Sequence, residues 1–205
     1  DASWFTWDDT SDLLCDNDYV FGPAGGPLPV GSARLLSSTC SNATATSDRK
    51  GLFTKAFKGT KISEITTLKY STYVPAASGN NVPSFQIGVD FTGIANAGYQ
   101  GRLVYVPTGI VNDTWQTWDL LADPNAKFYY SSNTSSPNDG LNCYISAGVG
   151  CTLSQILAAH PNLRVMPDNS LTPGPDGDTW GVLGVRTEAG SNANVDNIIV
   201  GVNSA

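Results

Sequence analysis

The chain has 205 residues, of which 14% are charged, against about 25% in an ordinary soluble domain, and its formal net charge is -7. Such an acidic balance argues against a nucleic-acid partner, which needs a basic footprint for phosphates, and against docking on an anionic membrane. No apolar run approaches the roughly 20 residues of a membrane-spanning helix.

Residues 1–30 read as irregular, with Trp4, Phe5 and Trp7 ahead of the acidic Asp8, Asp9, Asp12, Asp16 and Asp18. The Gly/Pro-rich stretch 22–29 reads as loop. From Ser32 onward the apolar pattern has mostly a period of two. Residues 61–74 are rich in Thr, Ile, Tyr and Val and predict a strand. In 84–91, Phe85, Ile87, Val89 and Phe91 alternate with Gln86, Gly88 and Asp90, predicting a half-buried antiparallel strand. Further strands are predicted at 101–107, 114–121, 180–187 and 195–200. One short helix is predicted at 152–160, with Thr152 as N-cap and Pro161 as stop.

Many short strands without a βαβ rhythm predict an all-β, antiparallel β-sandwich of the jelly-roll, concanavalin A-like kind. No linker divides the chain, so residues 1–205 are expected to form one domain, with 1–60 partly irregular and tied by a disulfide.

The chain starts at Asp1 and its single Met is Met166, which reads as a mature, processed protein. The four cysteines predict an oxidising compartment and disulfides, with Cys15–Cys40 and Cys143–Cys151 favoured because each closes a short loop. Their spacings do not suit a zinc site. Sequons at Asn42, Asn112 and Asn133 lie in turn-rich stretches and are candidate N-glycosylation sites. Secretion to the extracellular space is the expectation.

Four stretches carry a resemblance: Leu68–Val74, Thr114–Asp119, Leu157–Asn162 and Asn194–Gly201. In that order they are similar to a group of secreted microbial proteins, fungal and bacterial, most of them without a settled activity. The closing Val-Asp-Asn-Ile-Ile-Val also resembles the last strand of jelly-roll carbohydrate-binding modules and concanavalin A-like domains. The resemblance implies a jelly-roll fold and a glycan-rich extracellular setting. It carries over no catalytic residue.

A glycan site is expected on the strand at 180–188, where period two puts Trp180, Arg186 and Glu188 on one face, with Gly184 between. An aromatic ring there would stack on a sugar and the polar groups would bond its hydroxyls. Gln86, Asp90 and Tyr73 are expected to join them. The opposing expectation is a covered sheet face with Trp180 in the core. Trp115 and Trp118 read as a core edge, with a binding platform as the alternative.

His160, the single histidine, reads as a surface or helix-terminal residue steadied by the helix dipole. No nucleophile elbow partners it. One imidazole does not make a copper or zinc centre, and Asp1 excludes an N-terminal histidine brace. Asp16, Asp18, Asp176 and Asp178 are candidate ligands for a structural calcium, with Asx-turns as the alternative. No other cofactor is expected.

The leading expectation is a secreted, lectin-like carbohydrate-binding protein whose partners are glycans or polysaccharides. The alternatives are a structural or cell-surface protein without a small-molecule site, and a glycosidase or lyase on the same fold. The enzyme alternative needs two carboxylates across one sugar bond, for which Glu188 and Asp90 are the candidates.

Overall fold

The computed structural model describes residues 4–8, 18–29, 31–37, 49–79, 81–93, 100–131, 139–166, 183–188 and 190–203, and of Trp7, Asp8 and Asp18 the backbone alone. These residues form strands β1 (Trp4–Asp8), β2 (Asp18–Val20), β3 (Ser32–Leu36), β4 (Lys50–Thr54), β5 (Ile65–Tyr73) and β6 (Ser84–Asp90). They continue with β7 (Arg102–Tyr105), β8 (Trp115–Asp119), β9 (Phe128–Tyr130), β10 (Arg164–Val165), β11 (Leu183–Arg186) and β12 (Asn192–Val202). One sheet is ordered β1-β4-β11-β6-β7-β9, with β10 also on β6; the other is β2-β3-β12-β5-β8. Every pairing between these strands is antiparallel.

The expected all-β sandwich is what these sheets build. Their inner faces share one core, with Leu52, Phe85, Ile87, Leu103 and Leu183 from the first sheet and Leu35, Leu68, Tyr70 and Val195 from the second. Across the interface the Tyr70 and Phe85 rings lie 5.4 Å apart. The Tyr70 hydroxyl meets no unsatisfied burial cost, because it donates to the Pro83 carbonyl at 2.8 Å.

Period two locates most strands because one face of each is apolar. The strand at 84–91 departs from expectation in one respect. All seven residues of β6 are buried, not one face of it. β6 is central, with β11, β7 and β10 along its edges. Its polar face is partly satisfied locally: Gln86 Nε2 donates to Ser84 Oγ, and Asp90 Oδ1 accepts from the Thr92 and Gly93 N–H groups, while Gln86 Oε1 and Asp90 Oδ2 are buried without a partner among the described residues.

The irregular reading of residues 1–30 is corrected at both ends. β1 is paired with β4 over five residues, and β2 with β3 over three. Short edge strands carry few apolar alternations, so their ladder bonds, and not burial, define them. The stretch 22–29 is loop, as expected.

Helix α1 (Leu153–Ala159) starts at Thr152, whose side chain accepts from the Gln155 N–H while the Gln155 side chain answers to the Thr152 N–H. The expected Cys143–Cys151 disulfide is present, with the Cα atoms 5.5 Å apart. Around it, Phe128 and Cys151 exchange both backbone bonds, and the Tyr130 N–H donates to the Cys143 carbonyl at 2.7 Å. Cys15 and Cys40 lie outside the described residues.

Candidate functional site

A cleft of about 440 Å³ opens where the two sheets part, between the edge strands β1 and β2. This is within the range of small-molecule sites. Its apolar walls come from Trp4 and Leu52 of one sheet and from Ala33, Val195 and Ile198 of the other. The rim is aromatic. Tyr19 is 70% exposed and Phe21 is 94% exposed. Tyr19 falls on the side of β2 that its partner Ala33 presents to the core, and Phe21 borders the cleft at the bend just past β2. Gly31, at φ +96°, closes the β2–β3 link; a Cβ there would stand 2.5 Å from the Val20 carbonyl oxygen, so no larger residue fits.

A β-bulge in β12 borders the cleft. Asp196 pairs with Ser71 and Ile199 with Lys69, so β12 spends one residue more than β5 over this interval. Asn197 takes up the excess at φ +49°, a left-handed conformation that Asn tolerates better than most residues. The bulge reverses parity. Before it Ala193 and Val195 face the core; after it Ile198 and Val200 do. Asp196 and Asn197 border the cleft, and between the inward-facing Val195 and Ile198 their side chains share the opposite face of the sheet, where the 22–29 loop meets Asp196. The Asp196 carboxylate accepts from the Asn197 N–H at 2.7 Å and the Leu28 N–H at 3.1 Å. The side-chain amide of Asn197 bonds to none of the described residues.

The 22–29 loop is strapped down beside the cleft. Ser32 Oγ donates to the Gly22 carbonyl at 2.5 Å, Trp115 Nε1 to the Pro23 carbonyl at 3.2 Å, and the Leu28 N–H reaches Asp196. These three anchors fix the chain that follows Phe21.

The residues expected to form a glycan site do not assemble. Gln86 and Arg186 do lie on one face, because β11 pairs with β6 and sets Arg186 opposite Ser84. That face is closed, not open as expected: Gln86 is 1% exposed and Arg186 7%. Glu188 bonds Arg186 at 2.8 Å and Arg49 at 3.1 Å, so its carboxylate is held between two guanidinium groups. Asp90 organises a turn, accepting from Thr92, Gly93 and Gln100. Tyr73 belongs to the other sheet, where it stacks near Trp115 at 5.7 Å on the outer side. Trp180 lies outside the described residues.

The same register undoes the carboxylate pair of the enzyme alternative. The β6–β11 register sets Arg186 opposite Ser84, six residues along β6 from Asp90, and Glu188 lies two residues further in the opposite direction. At about 3.3 Å per residue they are roughly 25 Å apart, well beyond the ~5 to ~9.5 Å that glycosidase chemistry uses.

Trp118 faces inward and donates to Thr72 Oγ1 at 2.8 Å, in keeping with the core-edge reading, whereas Trp115 faces the strap. His160 is helix-terminal, at the C-cap of α1, but its side chain is mostly buried and not on the surface. Its Nε2 lies 2.8 Å from Asp139 Oδ2, its side chain is 13% exposed, and its ring is 5.0 Å from that of Phe91. Tyr130 donates to the same Asp139 oxygen at 2.6 Å. Burial alone raises the Asp139 carboxyl, but the bonds from Tyr130, His160 and the Leu141 N–H outweigh it and hold the group below its ordinary range. Burial, and then the bond to Asp139, push the Tyr130 phenol up.

Of the calcium candidates, Asp16, Asp176 and Asp178 lie outside the described residues, as does the Asp18 side chain. So do the sequons at Asn42 and Asn133; Asn112 sits in the turn before β8.

Sequence reasoning passed over Trp4, Tyr19 and Phe21 as site residues. The usable signal was a break of parity: Val195 and Val200 cannot share a face of an unbroken strand. Comparisons with protein-family models, with curated proteins and with solved structures find no match to this chain.

Proposed function

We propose that the protein is a secreted, lectin-like carbohydrate-binding protein whose site is the cleft between β1 and β2. The observation that carries this reading is the exposed aromatic rim, Tyr19 and Phe21, at an apolar cleft of about 440 Å³. A pyranose offers an apolar C–H face and a ring of hydroxyls. Exposed rings take the first. A ring that is 94% exposed, as Phe21 is, contributes little to folding, which gives it the character of a contact residue. The buried Cys143–Cys151 disulfide supports an oxidising, extracellular setting, and Asn112 is a glycan acceptor compatible with it.

An array of neutral and acidic glycans and of plant and microbial wall polysaccharides, probed with the labelled native protein, tests this. Saturable binding to one glycan class, lost in Phe21→Ala with the thermal midpoint unchanged, is the expected result. A blank array overturns the reading and favours a structural, surface-adhering role.

A further inference from the structure

We propose that the cleft selects saccharides whose hydroxyls are capped by acyl groups over the same saccharides uncapped; this rests on the carbohydrate reading of the cleft. The side chains that wall its interior are those of Trp4, Ala33, Leu52, Val195 and Ile198. Ala33, Leu52 and Val195 are buried members of the core, and Trp4 and Ile198 pack against it. Of these, Trp4 alone carries a hydrogen-bonding group, an indole N–H that donates and does not accept. The polar side chains that border the cleft are turned from it or engaged elsewhere. Those of Asp196 and Asn197 lie on the opposite face of the sheet from Val195 and Ile198. Ser32 Oγ donates to the Gly22 carbonyl and accepts from the Asn194 amide. Among the described residues, the interior therefore offers a sugar O–H no side-chain acceptor.

A free pyranose that enters such an interior brings its hydroxyls with it. Each O–H donor buried without an acceptor weakens binding by roughly 5- to 150-fold. An acetyl cap removes that donor. Its ester oxygens only accept, which suits a wall whose one polar group donates, and its methyl gains about fourfold for the apolar surface it buries. Both effects favour the capped sugar. The exposed rings of Tyr19 and Phe21 at the rim remain to stack on the sugar face, capped or not.

The test is calorimetric titration of the full chain with acetylated xylohexaose and acetylated mannohexaose, each set against the same oligosaccharide after mild alkaline removal of its acetyl groups. Hexyl acetate, an acyl ester without a sugar, is the further probe. For at least one pair, the acetylated form is expected to bind the native protein about tenfold or more tightly than its deacetylated partner. Ile198→Thr puts a hydroxyl on the wall and should narrow that gap about threefold or more, whereas Phe21→Ala removes a rim ring and should weaken both members of the pair alike. The pairs are compared on the native protein, so the outcome does not hang on the folding of a variant. Deacetylated forms that bind as tightly as acetylated ones overturn the selection and leave the carbohydrate reading standing. A gap that a folded Ile198→Thr leaves unmoved puts the caps outside the cleft and overturns the selection too. Hexyl acetate binding as tightly as the acetylated oligosaccharides overturns the carbohydrate reading and the selection with it. Binding of none of these probes, joined with a blank array, likewise overturns both.

Discussion

Asp139 is where a single side chain holds most together. One of its oxygens accepts from Tyr130 and lies 2.8 Å from His160, and the other accepts from the Leu141 N–H. An amide cannot replace it: with its oxygen toward Tyr130 and His160, its NH₂ would face the Leu141 donor. Asp139→Asn is expected to cost about 1–3 kcal/mol at neutral pH, measured by urea unfolding. The sign of the pH dependence follows from the depressed carboxyl. Its stabilisation is fully present above the unfolded value of about 3.9 and is lost as pH falls through the lower folded value. Native protein should therefore lose stability below pH ~4 more steeply than the variant. Asp119, held down by Lys69 against the effect of its own burial, keeps a residual slope in both. Equal slopes would show that Asp139 is not held as described. At this scale the sequence was hard to read. His160 and Asp139 are 21 residues apart, and neither lies in a pattern that announces the other.

At the scale of elements, spacing carried real information. Thr152 and Gln155 announce α1 because a capping box is local chemistry. Cys143 and Cys151 announce their own loop for the same reason. Breaking that disulfide by Cys143→Ala with Cys151→Ala should cost about 2–3 kcal/mol, since it closes a loop of sequence separation 8, and calorimetry would register the fall in thermal midpoint. Gly184 is a sharper test of register. A Cβ there would fall on the Leu52 carbonyl oxygen and 2.7 Å from the Phe53 Cα, both backbone atoms of the neighbouring β4. Gly184→Ala should cost roughly 3 kcal/mol or more, or prevent folding. A near-neutral result would contradict the β4–β11 pairing. β1 and β2 were not legible, because edge strands of three to five residues lack the alternation that burial imposes. The bulge in β12 escaped notice for a related reason: one extra residue shifts every later side chain to the other face.

For the whole molecule, composition and alternation lead to a β-sandwich because an apolar inner face is common to nearly every strand. They do not lead to the site. The face at 84–90 and 183–188 looked functional because polar and aromatic residues alternate with core ones. The structure differs: β6 and β11 are central, and Gln86 and Arg186 on that face are buried. Strand order created the cleft, by leaving β1 and β2 as neighbouring edges. Long-range pairing of this kind is not encoded in local spacing.

The account stands or falls on the cleft. The most direct measurement is calorimetric titration of the native protein and of Phe21→Ala and Tyr19→Ala with the glycan class identified by array binding. The expected result is saturable binding by the native protein and a loss of tenfold or more in each variant, with an unfolding free energy within about 0.5 kcal/mol of native for Phe21→Ala. Binding left unchanged in both variants would place the site elsewhere and contradict the assignment.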